Sequence, residues 1–381
     1  MDRFVQLHTT TFHAPANLNR DDTGRPKTAT MGGVPRLRIS SQCLKRAWRE
    51  SDVCQHALIG HLGERTARIG AEIEEHLLKV GTNATEARFI AREFAGAFGT
   101  VEAENSKNPT HTKEMAFIPP EERATALRLA EERLTEIRLS PAAETKVKKS
   151  LAKAEEKAAE ADENAARKKL AGKILLRGDT AADVAMFGRM LASSPDFSRE
   201  AAVSVAHAIT THKVVIEDDF YVALDDLKPP SEDVGAQFIG ESGFGSGVFY
   251  GYLTVDRPLL IKNLRGDVAL AKTALAALVE AAMTVSPSGK RTSYASYSRA
   301  SYAMVERGNC APRTLAGAFI QPVDQRSPKP NDLMAESIRC LRDTRAQFAR
   351  AYPNDELSHT EFCVGESGTL PDVIAFATDG M

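Results

Sequence analysis

The sequence has few cysteines, and they are not arranged for a structural role. A disulfide framework needs paired cysteines, and a cysteine-based zinc site needs them closely spaced. The five cysteines are odd in number, scattered, and include no CxxC pair: Cys43, Cys54, Cys310, Cys340 and Cys363. The pattern therefore argues against both kinds of site. It predicts reduced thiols, a cytosolic location, and no bound metal or other cofactor.

The sequence also lacks long apolar runs and a large net charge. No stretch approaches the roughly 18 apolar residues that cross a bilayer, and residues 1–15 lack the apolar core of a signal peptide. The 49 Lys and Arg residues are balanced by 51 Asp and Glu residues, which leaves a net charge of -2. We therefore expect a soluble, cytoplasmic protein with no membrane partner. Any site for a polyanion must be local.

Common enzyme motifs are absent when their spacing is compared with the sequence. Residues 288–292, SGKRT, lack the first glycine of a phosphate-binding loop, and Arg291 stands where a hydroxyl must reach magnesium. The glycines of residues 240–247 precede a predicted strand rather than a helix, which argues against a dinucleotide site. The nine histidines include no HExxH pair.

Apolar periodicity predicts the first elements of the chain. β-Branched and aromatic residues predict a strand over residues 4–11, and a functional loop follows over residues 15–40. A helix is predicted from Ser40. Its side with Leu44 and Trp48 should be buried, and its opposite side is cationic.

The rest of the sequence is read from the same signals. Residues 51–170 are rich in Ala, Glu, Lys and Arg, which favours helix throughout, and residues 144–170 among them predict an exposed helix. Strand-like segments on either side of a turn-rich stretch predict a projecting hairpin at residues 212–247. The other predicted elements are helices over residues 179–192, 198–212, 268–285 and 333–351 and a strand over residues 292–306. This inventory is typical of an α+β fold.

Positive charge is concentrated near the N-terminus of the sequence. Residues 3–49 contain nine Lys or Arg and two Asp, a local charge of +7. Guanidinium groups grip phosphate oxygens bidentately, and the N-terminal end of the helix after Ser40 adds donors and a favourable dipole. The segment therefore predicts binding to a phosphodiester backbone. The alternative is a set of solvated cations.

A second and weaker signal is GKRTSYASYSRASY, residues 289–302. It contains alternating cations and tyrosines: Lys290, Arg291, Tyr294, Tyr297, Arg299 and Tyr302. Such a mixture is expected of a surface that tracks phosphates and stacks bases. The alternative is that the tyrosines pack on a sheet beneath solvated cations.

The segment NLNRDDTGRPKTATMGGVPRLRISSQCLKRAWR, residues 17–49, resembles the N-terminal signature of the CasC family. This family is the backbone subunit of the type I-E CRISPR surveillance complex Cascade. Further resemblance follows in family order at ADVAMFGRM, VAHAITTHKVV, YVALDDL, GSGVFYGY and PSGKRTSYASYSRA. It covers most of the chain outside the helical insertion and the C-terminal part.

The resemblance implies a modified RRM or ferredoxin-like palm with helical fingers and a β-hairpin thumb. The palm would comprise residues 1–50, 173–211 and 248–381, the fingers residues 51–172, and the thumb residues 212–247. It also implies a filament in which several copies, with other Cascade subunits, wrap along the CRISPR RNA. The guide bases would stay free to pair with target DNA.

The resemblance further implies a non-catalytic RNA-binding scaffold. Loop and helix residues would contact backbone phosphates, Met190 would pack on bases, Tyr221 matches the thumb aromatic position, and a looser match covers the second basic segment. The implied RNA-binding residues are Asn19, Arg20, Lys27, Ser40, Gln42, Lys45, Arg46, Arg49, Met190, Tyr221, Lys290 and Arg291.

The competing interpretation is a metal-dependent endoribonuclease, because related backbone subunits of type III complexes cleave target RNA with a loop aspartate. Oxygen ligands for a divalent ion would come from Asp22 of the loop or from acids of the hairpin. These hairpin acids are Glu217, Asp218, Asp219, Asp225 and Asp226. Acids in a projecting hairpin are more often solvated. Asp21 and Asp22 lie among basic residues, which favours ion pairing or loop ordering over metal binding.

Overall fold

The computed structural model describes residues 1–139, 160–178, 180–191, 193–223, 238–323 and 333–381. The chain forms two compact units. The first comprises residues 1–57, 203–258 and 272–381, and the second comprises residues 58–202 and 259–271. Residues 173–202, which the sequence placed with the palm, thus belong to the second unit.

The strands of the described residues are short except at two places, where they exceed ten residues. In chain order they are β1 (Phe4–Ala16), β2 (Thr28–Met31), β3 (Val34–Ile39), β4 (Glu64–Thr66), β5 (Ala116–Ile118), β6 (Val203–Val205), β7 (Ala208–Thr210), β8 (Glu217–Ala223), β9 (Phe238–Asp256), β10 (Ala300–Gly308) and β11 (Ser358–Cys363).

Helices lie between these strands, and the described residues also form short 3₁₀ turns at Pro195–Phe197 and Ala316–Phe319. The helices are α1 (Ser41–Arg49), α2 (Asp52–Ala57), α3 (Ile69–Lys79), α4 (Ala84–Ala95), α5 (Pro120–Leu139), α6 (Glu160–Ile174), α7 (Ala182–Phe187), α8 (Arg257–Asn263), α9 (Val268–Thr284), α10 (Arg291–Tyr294), α11 (Leu333–Ala351) and α12 (Leu370–Thr378). Within the part of the chain that is described, none of them combines the length and apolar character needed to cross a bilayer.

The first unit is built on an antiparallel sheet with β1 near its centre. The strand order is β11–β10–β1–β9–β7–β3–β2, and β6 and β8 also pair with β9. Phe4 of β1 lies opposite Gly308 on β10 and Asp256 on β9, and the pairing with β9 continues to Ala16. The α+β prediction is confirmed. The strand predicted at residues 4–11 is also confirmed and extends to Ala16.

Strand β9 is 19 residues long because it pairs with different neighbours along its length. Its C-terminal part lies in the sheet beside β1, and its N-terminal part pairs with β8. The register with β8 is regular from Glu217 opposite Phe244 to Ala223 opposite Phe238. The predicted hairpin is therefore confirmed at its base, and residues 224–237 of its tip lie outside the described residues.

The predicted loop over residues 15–40 is wrong in its second half, which forms the β2–β3 hairpin. Gly32 and Gly33 connect the two strands with φ angles of 60° and 76°. A two-residue turn with positive φ at both positions matches the right-handed twist of the flanking strands, and glycine adopts it without strain. The sequence MGGV therefore carried a hairpin signal within a segment that was interpreted as a loop.

The helix predicted over residues 198–212 is also wrong, because this segment contributes β6 and β7. Val203–Val205 pairs with β9, and Ile209 and Thr210 pair with Tyr250 and Phe249. Alanines favour helix in this segment, but its β-branched residues suit the surface of a sheet. Pairing with the long strand β9 outweighs the local preference for helix.

The second unit has its own apolar core of helices. Ile73 of α3, Ile90 of α4 and Ala126 of α5 are fully buried in it. Helix throughout residues 51–170 is wrong at β4 and β5, which form a small antiparallel sheet. Of the exposed helix predicted at residues 144–170, residues 160–170 lie in α6, and the preceding residues lie outside the described part of the chain.

A buried polar cluster joins the sheet of the first unit to α11. The side chain of Glu306 on β10 is fully buried, and its oxygens accept hydrogen bonds from Arg313 at 3.0 and 3.1 Å and from Arg345 at 2.9 Å. Burial alone would raise the pKa of Glu306, but the hydrogen bonds and charges of His8 and Arg313 outweigh it and hold the pKa at about 2. Burial is the largest influence on His8 and lowers the pKa of its ring. The helix predicted at residues 333–351 is confirmed, and the cluster explains why it stays on the sheet.

We expect Glu306→Gln to lower the free energy of unfolding by roughly 3 kcal/mol at neutral pH, because two guanidinium groups lose a buried anionic partner. The pKa of Glu306 lies below its ordinary value of 4.5. Its stabilisation is therefore complete above that value and is lost as the pH falls from about 4.5 to about 2. Urea unfolding at pH 7 and pH 3 measures this. The exposed Glu356→Gln is the control, and an equal loss at both pH values would contradict the assignment.

Candidate nucleic-acid interface

Helix α1 turns its cations outward because its other face is apolar. The helix is capped by Ser40, whose Oγ accepts a hydrogen bond from the backbone N–H of Cys43 at 3.3 Å. Leu44 and Trp48, one turn apart, are buried and line a cavity of about 50 Å³ together with residues of β1 and β9. The helix therefore begins where the sequence predicts, and its predicted apolar side is buried. Ser40 itself has a structural role as its cap.

The outward face of α1 carries the three predicted cations and one carboxylate. Lys45 is half-buried, and burial lowers the pKa of its ammonium group. Arg46 Nε lies 3.0 Å from both carboxylate oxygens of Glu50, and Arg49 Nη2 lies 3.5 Å from one of them. Gln42 is exposed in the first turn. An acidic residue thus stands within the predicted phosphate-binding face.

Asn19 holds the N-terminal loop against the start of α1. Its Oδ1 accepts a hydrogen bond from the backbone N–H of Ser40 at 2.9 Å, and its carbonyl accepts one from the N–H of Lys27 at 2.8 Å. Lys27 is half-buried and Arg20 is exposed. Asn19 therefore positions its predicted RNA-binding neighbours.

Asp21 orders the loop through its own side chain. Its Oδ1 accepts hydrogen bonds from the N–H and Oγ1 of Thr23 and from the N–H of Arg25, at 2.8 to 3.0 Å. The hydrogen bond from Thr23 is the largest cause that lowers the pKa of Asp21. The residue closes a local turn, in agreement with the expectation of loop ordering.

Asn17 is a positioning residue that sequence reasoning missed. It is fully buried, and its Nδ2 donates hydrogen bonds to the carbonyls of Gly24 and Gly243, both at 2.9 Å. The first carbonyl belongs to the basic loop and the second to β9 at the base of the hairpin. An asparagine directly after β1 carries no sequence signal for this role, because the role depends on where the two carbonyls lie in the fold.

The second basic segment lies against the first. A Cβ atom added to Gly289 would lie 2.3 Å from the carbonyl oxygen of Leu18, so that only glycine allows this approach. Lys290 Nζ donates a hydrogen bond to Ser242 Oγ on β9. Arg291 donates to the carbonyl of Ser286 at 2.5 Å and lies 5.0 Å from the ring centroid of Tyr297.

These segments enclose an open cleft of about 550 Å³. Its walls are residues 18–22 of the loop, Arg46 and Glu50 of α1, and residues 287–289 of the second basic segment. The structure thus brings together two stretches that are far apart in sequence. A groove with guanidinium groups and exposed backbone is suited to a phosphodiester chain.

The hairpin carries two adjacent aromatic residues on opposite faces, because successive strand residues alternate. The ring of Tyr221 lies across the strands over Gly240, and this side chain is 44% exposed. Phe220, opposite Glu241, is 66% exposed. Both predicted wedge candidates are therefore accessible at the described part of the hairpin.

The base of the hairpin is held on both faces by the two basic segments. On the face of Tyr221, Lys290 bonds to Ser242, and the rings of Tyr294 and Phe244 lie 6.0 Å apart. On the opposite face, Arg25 Nη2 lies 2.7 Å from Asp218 Oδ1. Both basic segments are therefore attached to the base of the hairpin through side-chain contacts.

Arg38 and His207 form a further exposed group that sequence reasoning did not assign. Arg38 Nη1 lies 2.8 Å from His207 Nδ1. Desolvation, followed by the charges of Arg38 and Lys27, lowers the pKa of His207. The ring is therefore neutral near pH 7 and accepts a hydrogen bond from Arg38. His207 lies within the segment VAHAITTHKVV, which resembles the family, and this resemblance could have indicated the residue.

Some basic and aromatic residues of the two segments are structural. Arg3 pairs with Asp256 at 2.8 Å at the far end of β1. Arg36 is fully buried, and its guanidinium donates to the carbonyls of Met31, Thr210 and Phe319. Tyr302 is buried in the core, as the alternative interpretation of the second segment predicted. The local charge of +7 is therefore not all available to a ligand.

Met190 lies in the second unit and is 84% exposed. The preceding residue, Arg189, forms a fully buried ion pair with Glu122, with its Nη1 2.6 Å from Oε2. This pair fixes the backbone next to Met190, and its side chain points to solvent. Asp225 and Asp226 of the predicted alternative site lie outside the described residues. Within the described ranges, no group of three or more His, Cys, Asp and Glu residues is arranged to hold a metal ion.

Solved structures of similar chains share this fold along nearly its whole length. A subunit of a "CRISPR RNA-guided surveillance complex, pre-nicking" matches with a TM-score of 0.80 and 28% identity, over 98% of this chain and 99% of that one. A subunit of a "CRISPR RNA-guided surveillance complex" matches with a TM-score of 0.70 and 23% identity, over 99% of this chain and 100% of that one. No curated protein matches the sequence.

The family comparison agrees with the structural one. The sequence profile of the CT1975-like protein family matches residues 5–375, which is almost the entire chain. The expected relation to CRISPR surveillance complexes is therefore confirmed. The chain belongs to the CT1975-like protein family.

Proposed function

We propose that this chain is a CasC-like backbone subunit, a non-catalytic scaffold that binds CRISPR RNA through its sugar-phosphate backbone. Several copies would polymerise along the RNA with other Cascade subunits and hold the guide for pairing with target DNA. The observation that carries the proposal is the convergence of the two basic segments on one cleft beside α1. The sequence of each segment, taken alone, predicts a surface for RNA.

The chemistry of the cleft favours a backbone ligand over a small substrate. Arg20 and Arg46 line it together with loop backbone and the first residues of the second basic segment. Contacts of this kind grip phosphates without reading bases, which leaves the base edges free. A guide that must pair with any target sequence requires such recognition.

We assign the parts of the proposed scaffold to the observed elements. The sheet of the first unit would be the RRM-like palm, the helical second unit the fingers, and the β8–β9 hairpin the thumb. Tyr221 on the thumb would separate stacked bases, and Met190 on the fingers would pack against them. Their exposed side chains support these roles, since an exposed aromatic or thioether group gains most by covering a base.

The alternative is a metal-dependent endoribonuclease that uses a loop or thumb aspartate. One of its candidate acids already has another partner, because Asp218 pairs with Arg25. Asp21, next to the candidate Asp22, accepts three hydrogen bonds within its own turn. We therefore favour the scaffold. Incubation of the assembled complex with end-labelled single-stranded RNA and magnesium separates the two functions. Intact RNA is expected, and cuts at regular intervals that disappear in Asp22→Asn would establish the nuclease.

We expect Lys45→Ala combined with Arg46→Ala to weaken RNA binding to the same extent for unrelated sequences, because phosphate contacts position the strand without specifying bases. The slope of log affinity against log salt should fall by about 0.7 for each phosphate contact removed. Binding isotherms with labelled RNA at several salt concentrations measure both quantities.

The matched control for this double variant is Lys272→Ala combined with Arg350→Ala. These exposed helix residues of the first unit change the net charge equally. The control should keep the salt slope of the unchanged chain. A sequence-dependent loss with an unchanged slope in the α1 variant would contradict backbone gripping.

We expect Tyr221→Ala to weaken RNA binding by about 1 to 3 kcal/mol per subunit, because a base loses its stacking partner. The salt slope should stay constant, since no phosphate contact is lost. Phe220→Ala, on the opposite face, is the comparison and should have the smaller effect. If Tyr221→Ala leaves RNA affinity intact and lowers the melting temperature of the RNA-free chain, Tyr221 only packs the hairpin.

A further inference from the structure

Two carboxylates occupy arginines of the proposed RNA site. Both carboxylate oxygens of Glu50 accept a hydrogen bond from Arg46 Nε at 3.0 Å. One of them also lies 3.5 Å from Arg49 Nη2. Asp218 Oδ1 forms an ion pair with Arg25 Nη2 at 2.7 Å. Arg46 and Arg49 are predicted phosphate contacts, and Arg25 lies in the same basic loop as Arg20.

Both ion pairs are exposed, unlike the buried pair of Glu122 with Arg189. The side chains of Arg46 and Glu50 are 75% and 48% exposed, and those of Arg25 and Asp218 are 46% and 42% exposed. Exposed pairs shift an equilibrium only about 1.5- to 5-fold, so that a competing anion displaces them easily. The buried pair of Glu122 with Arg189 is built for stability, and these two pairs are not.

A carboxylate and a phosphate are interchangeable partners for a guanidinium group. Each presents two oxygens to the N–H donors, and a phosphodiester held at Arg46 would take the place that Glu50 has in the free chain. Glu50 also lines the cleft itself, together with Arg20 and Arg46. RNA that enters the cleft therefore meets an arginine that is already engaged.

We propose that Glu50 and Asp218 are specificity-determining residues that act as internal competitors for phosphate. In the free chain they hold Arg46, Arg49 and Arg25, and RNA binding displaces both. The free chain then attracts stray polyanions less, and only a strand that supplies enough contacts to exchange both pairs binds well. This inference rests on the proposed function and deepens it.

The test compares each competitor with a neighbouring acid of the same charge. Glu50→Gln is matched by Asp52→Asn two residues later, and Asp218→Asn is matched by Asp219→Asn, which follows it on the other face of the hairpin. Neither Asp52 nor Asp219 forms an ion pair with the described residues. Any general effect of removing one negative charge is therefore shared within each pair. The probe is labelled single-stranded polyuridine, titrated into the full chain at several salt concentrations.

We expect Glu50→Gln and Asp218→Asn each to bind about 1.5- to 5-fold more tightly than its matched control. The combined variant should show the product of the two gains, because the two acids share no partner. The salt slope should not change, since the complex keeps the same phosphate contacts.

Affinities equal to those of the controls would overturn the inference, and weaker binding would mean that the carboxylates position the arginines. Either result leaves the proposed function standing, because the unchanged chain still binds the RNA. If the unchanged chain does not bind polyuridine, the proposed function fails and the inference fails with it. Circular-dichroism melts of all variants show that each one is folded.

Discussion

The arrangement of the cleft depends on one buried amide. The two N–H donors of Asn17 are fully used, one on the carbonyl of Gly24 and the other on the carbonyl of Gly243. A buried amide that lost either partner would carry an unsatisfied donor, at a cost of about 1 to 3 kcal/mol. The buried side chain of Asn17 therefore joins the loop to the base of the hairpin. This junction positions the cations of the loop, which are Arg20, Arg25 and Lys27.

The same junction explains how a chain of net charge -2 presents two arginines in one cleft. The N-terminal segment supplies both arginines of the cleft, Arg20 and Arg46, and the distant residues 287–289 complete its wall. Close approach at Gly289 and capping at Ser40 supply the necessary proximity. Two of the acids at the cleft have defined roles, because Asp21 orders a turn and Glu50 pairs with Arg46.

Sequence reasoning was most successful where the signal is local. The helix from Ser40, its buried face and the hairpin base follow from a cap, a 3.6-residue period and β-branched runs. It failed at residues 198–212, where alanine favoured helix and the neighbouring β9 imposed strands. It could not find Asn17, because the partner carbonyl on β9 is 226 residues away in sequence. The Gly32–Gly33 turn, in contrast, was visible in the sequence and was missed.

The position of Trp48 has a spectroscopic consequence. It is the only tryptophan in the chain, and it is buried directly beneath the cationic face of α1, in contact with a small cavity. Indole emission depends on the polarity and rigidity of its surroundings, so that the fluorescence of the whole protein reports on this one helix. The chain thus contains a native optical probe under the surface that we assign to RNA. Engagement of α1 can be followed without any added label.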